Sequence, residues 1–597
     1  MPTQQSTPNT QKLGNEGLKQ EFAYPERVLS TGAVVIGAGG AGLRAAIEFD
    51  AQGVDVLVLG KRRKNDAHTI LAAGGINAAL GTMDPEDSWQ QHAADTIKES
   101  YFLGHPHTAE VVARGAARGI QDLVDYGCRF SREEDGRISQ RFFGAHKWRR
   151  TSYFGDYTGL EIHRALLHQA QQQSIEIRDT VYVTRILVSD GRAFGVYGFD
   201  VDTGERIMVF ADVVVLAAGG HNRIWKVTSS RKDENTGDAL RLAHLAGAEI
   251  QDAELVQFHP SGILEPLEEA GTLITEAARG EGGILRNALG ERYMAKYDPE
   301  RMELSTRDRV ALASYTEIAE GRGTDKGGVW LDVSHLPDEI IHERLPRIYN
   351  IVQELQGKDI TQEPIEIAPT SHYTMGGVRV SPEDHSTGVD GLYAIGETSA
   401  GLHGANRLGG NSLIELLVYG RIVGEIGAAR VRAYAPAERS RAAIEEAREE
   451  VAALDRADGP ENAIVLFEEL RQILTDHAGV VRSETGLTLG LEKLAALEER
   501  AERIGVHTDI ASYLDLTRAF NLKAGLIAAR ATLESALART ETRGAHNRSD
   551  FPEQDESLRV NMVWSGPGRV APQPIPAVPE EIAALIEEIS TEGKILE

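Results

Sequence analysis

Three features of the sequence predict an α/β fold with an inserted α+β capping domain and a C-terminal helical domain. An apolar strand near the start runs straight into a glycine-rich turn and a helix. A second apolar strand at 211–220 ends in small residues, as a sheet does where it approaches a ligand. From about 436 to 540 the chain is rich in Ala, Glu, Leu and Arg with helical periodicity. The chain has 597 residues, and a single core rarely grows beyond roughly 250–300, so two to four domains are expected.

Composition excludes more than it assigns. The balance of 63 Lys+Arg against 90 Asp+Glu gives a formal charge of −27, and no broad basic face is present to neutralise phosphates, so nucleic acid is not expected as a partner. One cysteine, Cys128, rules out an internal disulfide framework, a Cys-ligated iron–sulfur cluster or a thiolate zinc finger within the chain. Redox work here must therefore use another cofactor. The first twenty residues are polar, and no apolar run reaches the roughly 18 residues of a membrane span. A cytoplasmic protein without its own anchor is expected.

Taken in order, residues 1–27 form a polar arm. Ala33–Ile36 is a short buried strand, Leu43–Gln52 a helix closed by Gly53, and Val54–Leu59 a second buried strand, making one βαβ unit. Between strand and helix lie Gly37, Ala38, Gly39, Gly40, Ala41 and Gly42. Gly37, Gly39 and Gly42 occupy the G-x-G-x-x-G positions: the first permits the tight turn, the second lets a pyrophosphate reach backbone N–H groups, the third packs helix on strand. The second strand ends at Gly60 and Lys61, with no acid to take ribose hydroxyls as the generic pattern expects. After the strand at 211–220, residues 253–365 alternate apolar runs with glycine-rich and charged loops, as an inserted capping domain would. Gly391–Gly396 is a returning strand and Asn411–Ala428 the following helix, so 28–252 and 366–432 together make the Rossmann-like domain. Residues 433–550 are helical, with Glu445–Glu450 as a solvated face. In the tail, 551–597, Pro567–Pro579 is expected to be an extended linker before an amphipathic helix at Glu580–Ile589. His105-Pro106-His107 lacks further ligands at metal spacing, so no metal is expected.

Downstream of the second strand, His68 lies among small residues, where it could serve as a nucleophile toward the 8α carbon of a flavin. His68-Thr69-Ile70-Leu71-Ala72-Ala73-Gly74-Gly75-Ile76-Asn77-Ala78-Ala79-Leu80-Gly81 resembles the flavin-attachment segment of succinate dehydrogenase and fumarate reductase flavoprotein subunits. Ala73 stands where Gln or Glu is usual, and Asp66-Ala67 replace Arg-Ser. The resemblance runs from the fingerprint to Arg543-Gly544-Ala545-His546. It implies FAD carried covalently on His68, with Thr69, Gly74, Gly75, Asp238 of Asn235-Thr236-Gly237-Asp238, Glu397, Ser412 and Leu413 among its contacts. An 8α heteroatom should raise the flavin potential, as oxidation of an alkane C–C bond requires.

Further segments match the family's dicarboxylate site. Phe258-His259-Pro260-Ser261-Gly262 resembles F-H-P-T-G, whose histidine binds a carboxylate. Thr275-Glu276-Ala277-Ala278-Arg279-Gly280-Glu281-Gly282-Gly283 resembles a segment whose Thr binds substrate while Glu and Arg carry protons. Glu303-Leu304-Ser305-Thr306-Arg307-Asp308 resembles the one whose arginine gives or takes the proton at substrate carbon. Pro369–Gly377 and Gly404–Gly409 match the segments of the second substrate histidine, His372, and the carboxylate-clamping Arg407. Arginine normally holds its proton, so Arg307 would need a desolvated site, the neighbouring cation Arg279 and Glu276 as relay.

The resemblance thus implies interconversion of succinate and fumarate by hydride transfer at FAD N5. Electrons would pass to a separate iron–sulfur subunit, then to a membrane anchor with quinone, at the inner face of the cytoplasmic membrane. L-aspartate oxidase, a relative with the same arginines and non-covalent FAD, is the alternative. His68 and the run Phe143-Gly144-Ala145-His146 with Asp156-Tyr157-Thr158-Gly159 favour the dehydrogenase. Direction and electron acceptor stay open.

Overall fold

The structure is a computed structural model and describes residues 25–433, 438–508 and 513–586. Its centre is a seven-stranded sheet in the order 176–178, 56–59, 26–36, 206–216, 192–200, 181–189, with Leu392–Ala394 also pairing with 206–216. The first four of these and the returning strand are parallel; 181–189 and 192–200 are antiparallel. Parallel strands are covered on both faces and therefore read as continuous apolar runs. Val34, Val35, Val213, Val214 and Val215 are accordingly fully buried. The first strand starts at Glu26, not Ala33, because its polar leading half still pairs with Arg206–Phe210. Residues 1–24 of the expected polar arm lie outside the described residues.

Helices Gly40–Ala51 and Asn411–Ala433 lie together on one face of this sheet and share its core. A four-stranded antiparallel sheet in the order 256–263, 365–374, 329–332, 284–286 has its own core, including Ile263, Ile274, Leu285, Val310, Leu331 and Ile367. Strand Ile365–Thr374 belongs to this sheet throughout, so the pairing runs past the expected crossing at 366. Adjacent strands of this sheet carry His259 and His372, whose ring centroids lie 5.4 Å apart.

The helical region holds Arg441–Asp455, Ala463–His477, Glu484–Ala501 and Leu514–Ala538. The first three start on side-chain caps, from Ser440, Asn462 and Ser483. Arg539, fully buried, pairs with Asp252, Glu254 and Glu541, tying the end of the last helix to the chain just ahead of the capping sheet. Part of the expected linker is a strand: Val570–Pro574 pairs with Val560–Trp564, which pairs with Ile250–Gln251. Pro572 and Pro574 are tolerated because this strand is the sheet edge. The final helix is described from 580 to 586, where Ile582 and Ile586 join the core; residues 587–589 lie outside the described part. Among the described residues no helix is long and apolar enough to cross a membrane, and no cluster of His, Cys, Asp and Glu is arranged to hold a metal.

Candidate active site

The βαβ turn is shaped by its glycines. Gly37 has φ +117°, and a Cβ there would lie 2.1 Å from the Ala217 carbonyl oxygen. At Gly42 a Cβ would lie 2.0 Å from the Gly37 carbonyl oxygen, so helix and strand meet backbone to backbone. Gly39 differs: a Cβ would find only Thr69 Oγ1, at 3.5 Å, because this position faces the cavity. The helix starts at Gly40 without a side-chain cap from Gly39. Thr69 fills that place, its Oγ1 accepting from Gly40 N at 3.0 Å. The remaining N-terminal N–H groups and the helix dipole face the cavity, an arrangement suited to a pyrophosphate.

A continuous cavity of about 460 Å³ runs from this turn to the capping sheet. Gly37, Ala38, Gly39, Gly40, Ala41, Gly60, Lys61, His68, Thr69, Gly74, Gly75, Asp238, Glu397, Ser412 and Leu413 line it. Gly42 does not, consistent with a packing role. Lys61 Nζ donates to Asp238 Oδ2 at 2.8 Å, and Tyr182 Oη donates to Asp238 Oδ1 at 2.6 Å. The fold therefore brings a carboxylate from 238 to the strand end that lacked one in sequence. Glu397 Oε1 accepts from Asn222 Nδ2 at 2.8 Å and Thr374 N at 3.1 Å.

At the capping end His259, Thr275, Glu276, Arg307, His372 and Arg407 line the same cavity. Ser261 N donates to His259 Nδ1 at 3.3 Å, which leaves Nε2–H as the donor toward the cavity. His372 Nδ1 pairs with Ser229 Oγ at 2.9 Å. Burial, then the charges of Arg307, His372, Arg279 and Arg407, pushes His259 well below the usual histidine range. Burial and then Arg407 and Arg307 do the same to His372. Both are neutral at physiological pH. Glu276 is ionised: burial opposes its charge, but Arg307 and Arg279 outweigh it.

Arg307 Nε donates to Glu276 Oε2 at 2.9 Å. Arg279 is fully buried behind it, 3.9 Å from Glu276, and does not line the cavity. Thr275 opens the short turn that carries both residues, its Oγ1 accepting from Ala277 N at 3.1 Å. Glu276 and Phe143 also line a second cavity of about 540 Å³, so this carboxylate stands at the partition between two spaces. Arg407 donates to Ser412 Oγ at 2.9 Å and to Gln257 Oε1 at 3.0 Å, while its buried Nε has no partner among the described residues. Burial, then repulsion from Arg307, lowers Arg407 to about 10, still protonated at neutral pH.

Gln257 was not singled out by its sequence. Fully buried, its Oε1 accepts from both Arg407 and Arg307 (3.4 Å), and its Nε2 donates to Asn406 Oδ1 at 2.9 Å. Two like-charged guanidiniums are thus held beside one amide. The only hint was a polar residue inside the apolar run Leu255-Val256-Gln257-Phe258. Glu234 was also missed: its Oε2 lies 3.1 Å from His68 Nδ1, and nothing in Asp233-Glu234-Asn235 marks it.

Anion-binding helix terminus, elongated cavity and cationic pocket together define an FAD-dependent oxidoreductase. An FAD binding domain family model matches residues 32–413, and a fumarate reductase flavoprotein C-terminal model matches 467–573. The chain is 42% identical to one of the subunits of fumarate reductase (CoM/CoB) from Methanothermobacter marburgensis, covering 87% of this chain and 94% of that one. It is 36% identical to the succinate dehydrogenase flavoprotein subunit of Rickettsia bellii, covering 93% and 96%. The solved structure of Mycobacterium smegmatis Sdh1 in complex with UQ1 superposes with a TM-score of 0.87 at 37% identity, over 95% of this chain and 98% of that one. This chain belongs to the succinate dehydrogenase/fumarate reductase flavoprotein family.

Proposed function

We propose that this chain interconverts succinate and fumarate, with Arg307 giving or taking the proton at substrate carbon and Glu276 relaying it. The observation that carries the reading is the convergence of His259, His372, Arg307 and Arg407 on one end of the FAD cavity, with Glu276 bonded to Arg307. A C4 dicarboxylate is a dianion. Arg307, Arg407 and Arg279 against Glu276 leave this end cationic despite the net charge of −27, so binding rests on local charge working against the global field. Bound FAD supplies the two-electron carrier. The chain's residues do the rest: Arg407 and the two imidazoles clamp carboxylates, Thr275 adds a hydroxyl, and burial excludes water. Dye-coupled succinate oxidation and fumarate reduction by the purified chain test this, and absence of both would overturn it.

Two further outcomes follow. Removing the shared acceptor in Gln257→Leu should raise KM for succinate about 10-fold to 100-fold, the equivalent of one or two charged hydrogen bonds, with flavin content unchanged. Steady-state kinetics beside the flavin-to-protein ratio check it. The histidine shifts give a pH expectation with a definite sign. A base whose pKa is depressed is neutral above that pKa, so His259 and His372 gain no charge near their ordinary value. Fumarate affinity should therefore stay flat between about pH 6 and 8. Tightening centred near the ordinary histidine value as pH falls, measured by flavin difference spectra, would contradict it.

Electron transfer onward is part of the proposal. With one Cys, the chain supplies no cluster ligands of its own, so a separate iron–sulfur subunit takes the electrons. A membrane anchor with quinone would follow it, placing this chain peripherally at the inner face of the cytoplasmic membrane. The relatives' names support a multi-subunit setting and differ in redox partner, since one carries CoM/CoB and another was solved with UQ1. Co-purification of a cysteine-rich iron–sulfur protein would support this.

A further inference from the structure

We propose that Glu234 is the positioning residue for flavin attachment, orienting His68 through Nδ1 so that Nε2 is presented bare to the flavin 8α carbon. This rests on the reading that His68 carries FAD covalently. The geometry is local and closed. Glu234 Oε2 lies 3.1 Å from His68 Nδ1, with the glutamate side chain 5% exposed. An ionised carboxylate only accepts, so Nδ1 must bear the hydrogen, and in the neutral ring Nε2 then holds the lone pair.

Glu234 is itself held. Arg231 donates to it from its backbone N at 3.1 Å and from Nε at 3.0 Å. The same Arg231 reaches Asp66, two residues before the histidine, through Oδ1 at 2.5 Å and its carbonyl at 3.1 Å. Asp66, Arg231, Glu234 and His68 thus clamp the attachment loop to the loop at 231–235. On either side of Glu234, Asp233 and Asn235 adopt φ of +63° and +47°, a left-handed geometry that costs energy for non-glycine residues. Asn235 is fixed there by bonds to Gly220 N and Ser230 Oγ.

Attachment replaces a C8α–H bond by a C8α–Nε2 bond. The carbon-bound hydrogen leaves as a proton, two electrons remain on the flavin, and these pass to a two-electron acceptor such as fumarate or dioxygen. The imidazole becomes cationic as Nε2 bonds, and its Nδ1 proton then passes to Glu234 or solvent. Glu234 stabilises that cation, as carboxylate partners do for metal-bound histidines, where their removal costs 10-fold to 100-fold. The groups acting on His68 are Glu234 and Glu397, which favour its protonation, and Arg231, which opposes it; the charge of His68 acts in turn on His372, and Arg62 lies 3.7 Å from Glu234. Burial pulls His68 down, but the bond and charge of Glu234 outweigh it, so its pKa lies above the ordinary value.

The test is incorporation of FAD into flavin-free full-length chain with fumarate as oxidant, quenched in acid, with in-gel flavin fluorescence followed against pH. The wild type should show a rate that rises with pH to a plateau, with a midpoint above the ordinary histidine value. Glu234→Gln should lower the plateau at least about 10-fold and move the midpoint down, while holding FAD non-covalently through desalting as His68→Ala does; Glu234→Asp should recover part of the rate. A Glu234→Gln variant with wild-type plateau and midpoint would overturn the role of Glu234 alone. A wild type without acid-stable flavin at any pH would overturn the covalent reading and this inference with it.

Discussion

Arg307→Lys is expected to lower succinate oxidation by about 1,000-fold, the middle of the range for a lost general acid or base, while the chain still binds dicarboxylate. Lysine keeps the charge but carries one compact ammonium. It cannot bond Glu276 from a position equivalent to Nε at 2.9 Å and also point a second nitrogen at substrate carbon. Gln257 and the partition at Phe143 and Glu276 are left in place, so the loss should fall on kcat and not on KM. Steady-state kinetics, paired with a flavin difference titration by fumarate, separate the two. A near-normal kcat would remove Arg307 from the proposed role.

Gly37→Ala should yield protein without flavin and with a lowered melting temperature. The added methyl would sit 2.1 Å from a carbonyl oxygen at a φ of +117°, which an L side chain rarely adopts. Strand, turn and helix would have to move apart. Gly39→Ala is the contrast: with only Thr69 Oγ1 at 3.5 Å, it should keep its melting temperature and lose only flavin affinity. Thermal denaturation and flavin absorbance of the two variants distinguish a fold effect from a ligand effect. Equal losses of stability in both would contradict the division of labour among these glycines.

How legible the protein is in sequence depends on range. The βαβ unit is legible because Ala33–Ile36, the glycines and the following helix are contiguous. Its first strand reaches back to Glu26 for a reason no local pattern shows, a partner at 206–210. The strand Val570–Pro574 hides behind prolines that only an edge position tolerates. In the site, residues in distinctive motifs such as His259 and Arg307 are visible in sequence and converge on one cavity. Gln257 and Glu234 are not, because the partners that give them a role, Arg407 and Arg307 for Gln257 and His68 for Glu234, come from segments far along the chain. Arg279 sits in the motif yet lies behind Glu276, out of the cavity, and only burial reveals that order.

The central claim, that this cavity couples FAD to a C4 dicarboxylate, is tested most directly by anaerobic spectral titration of the purified FAD-loaded chain. Succinate should bleach the flavin and fumarate should restore it after reduction, with both changes about 1,000-fold slower in Arg307→Lys. A flavin left oxidised by succinate but bleached by L-aspartate, with peroxide formed when air is admitted, would contradict that claim and assign the site to aspartate oxidation.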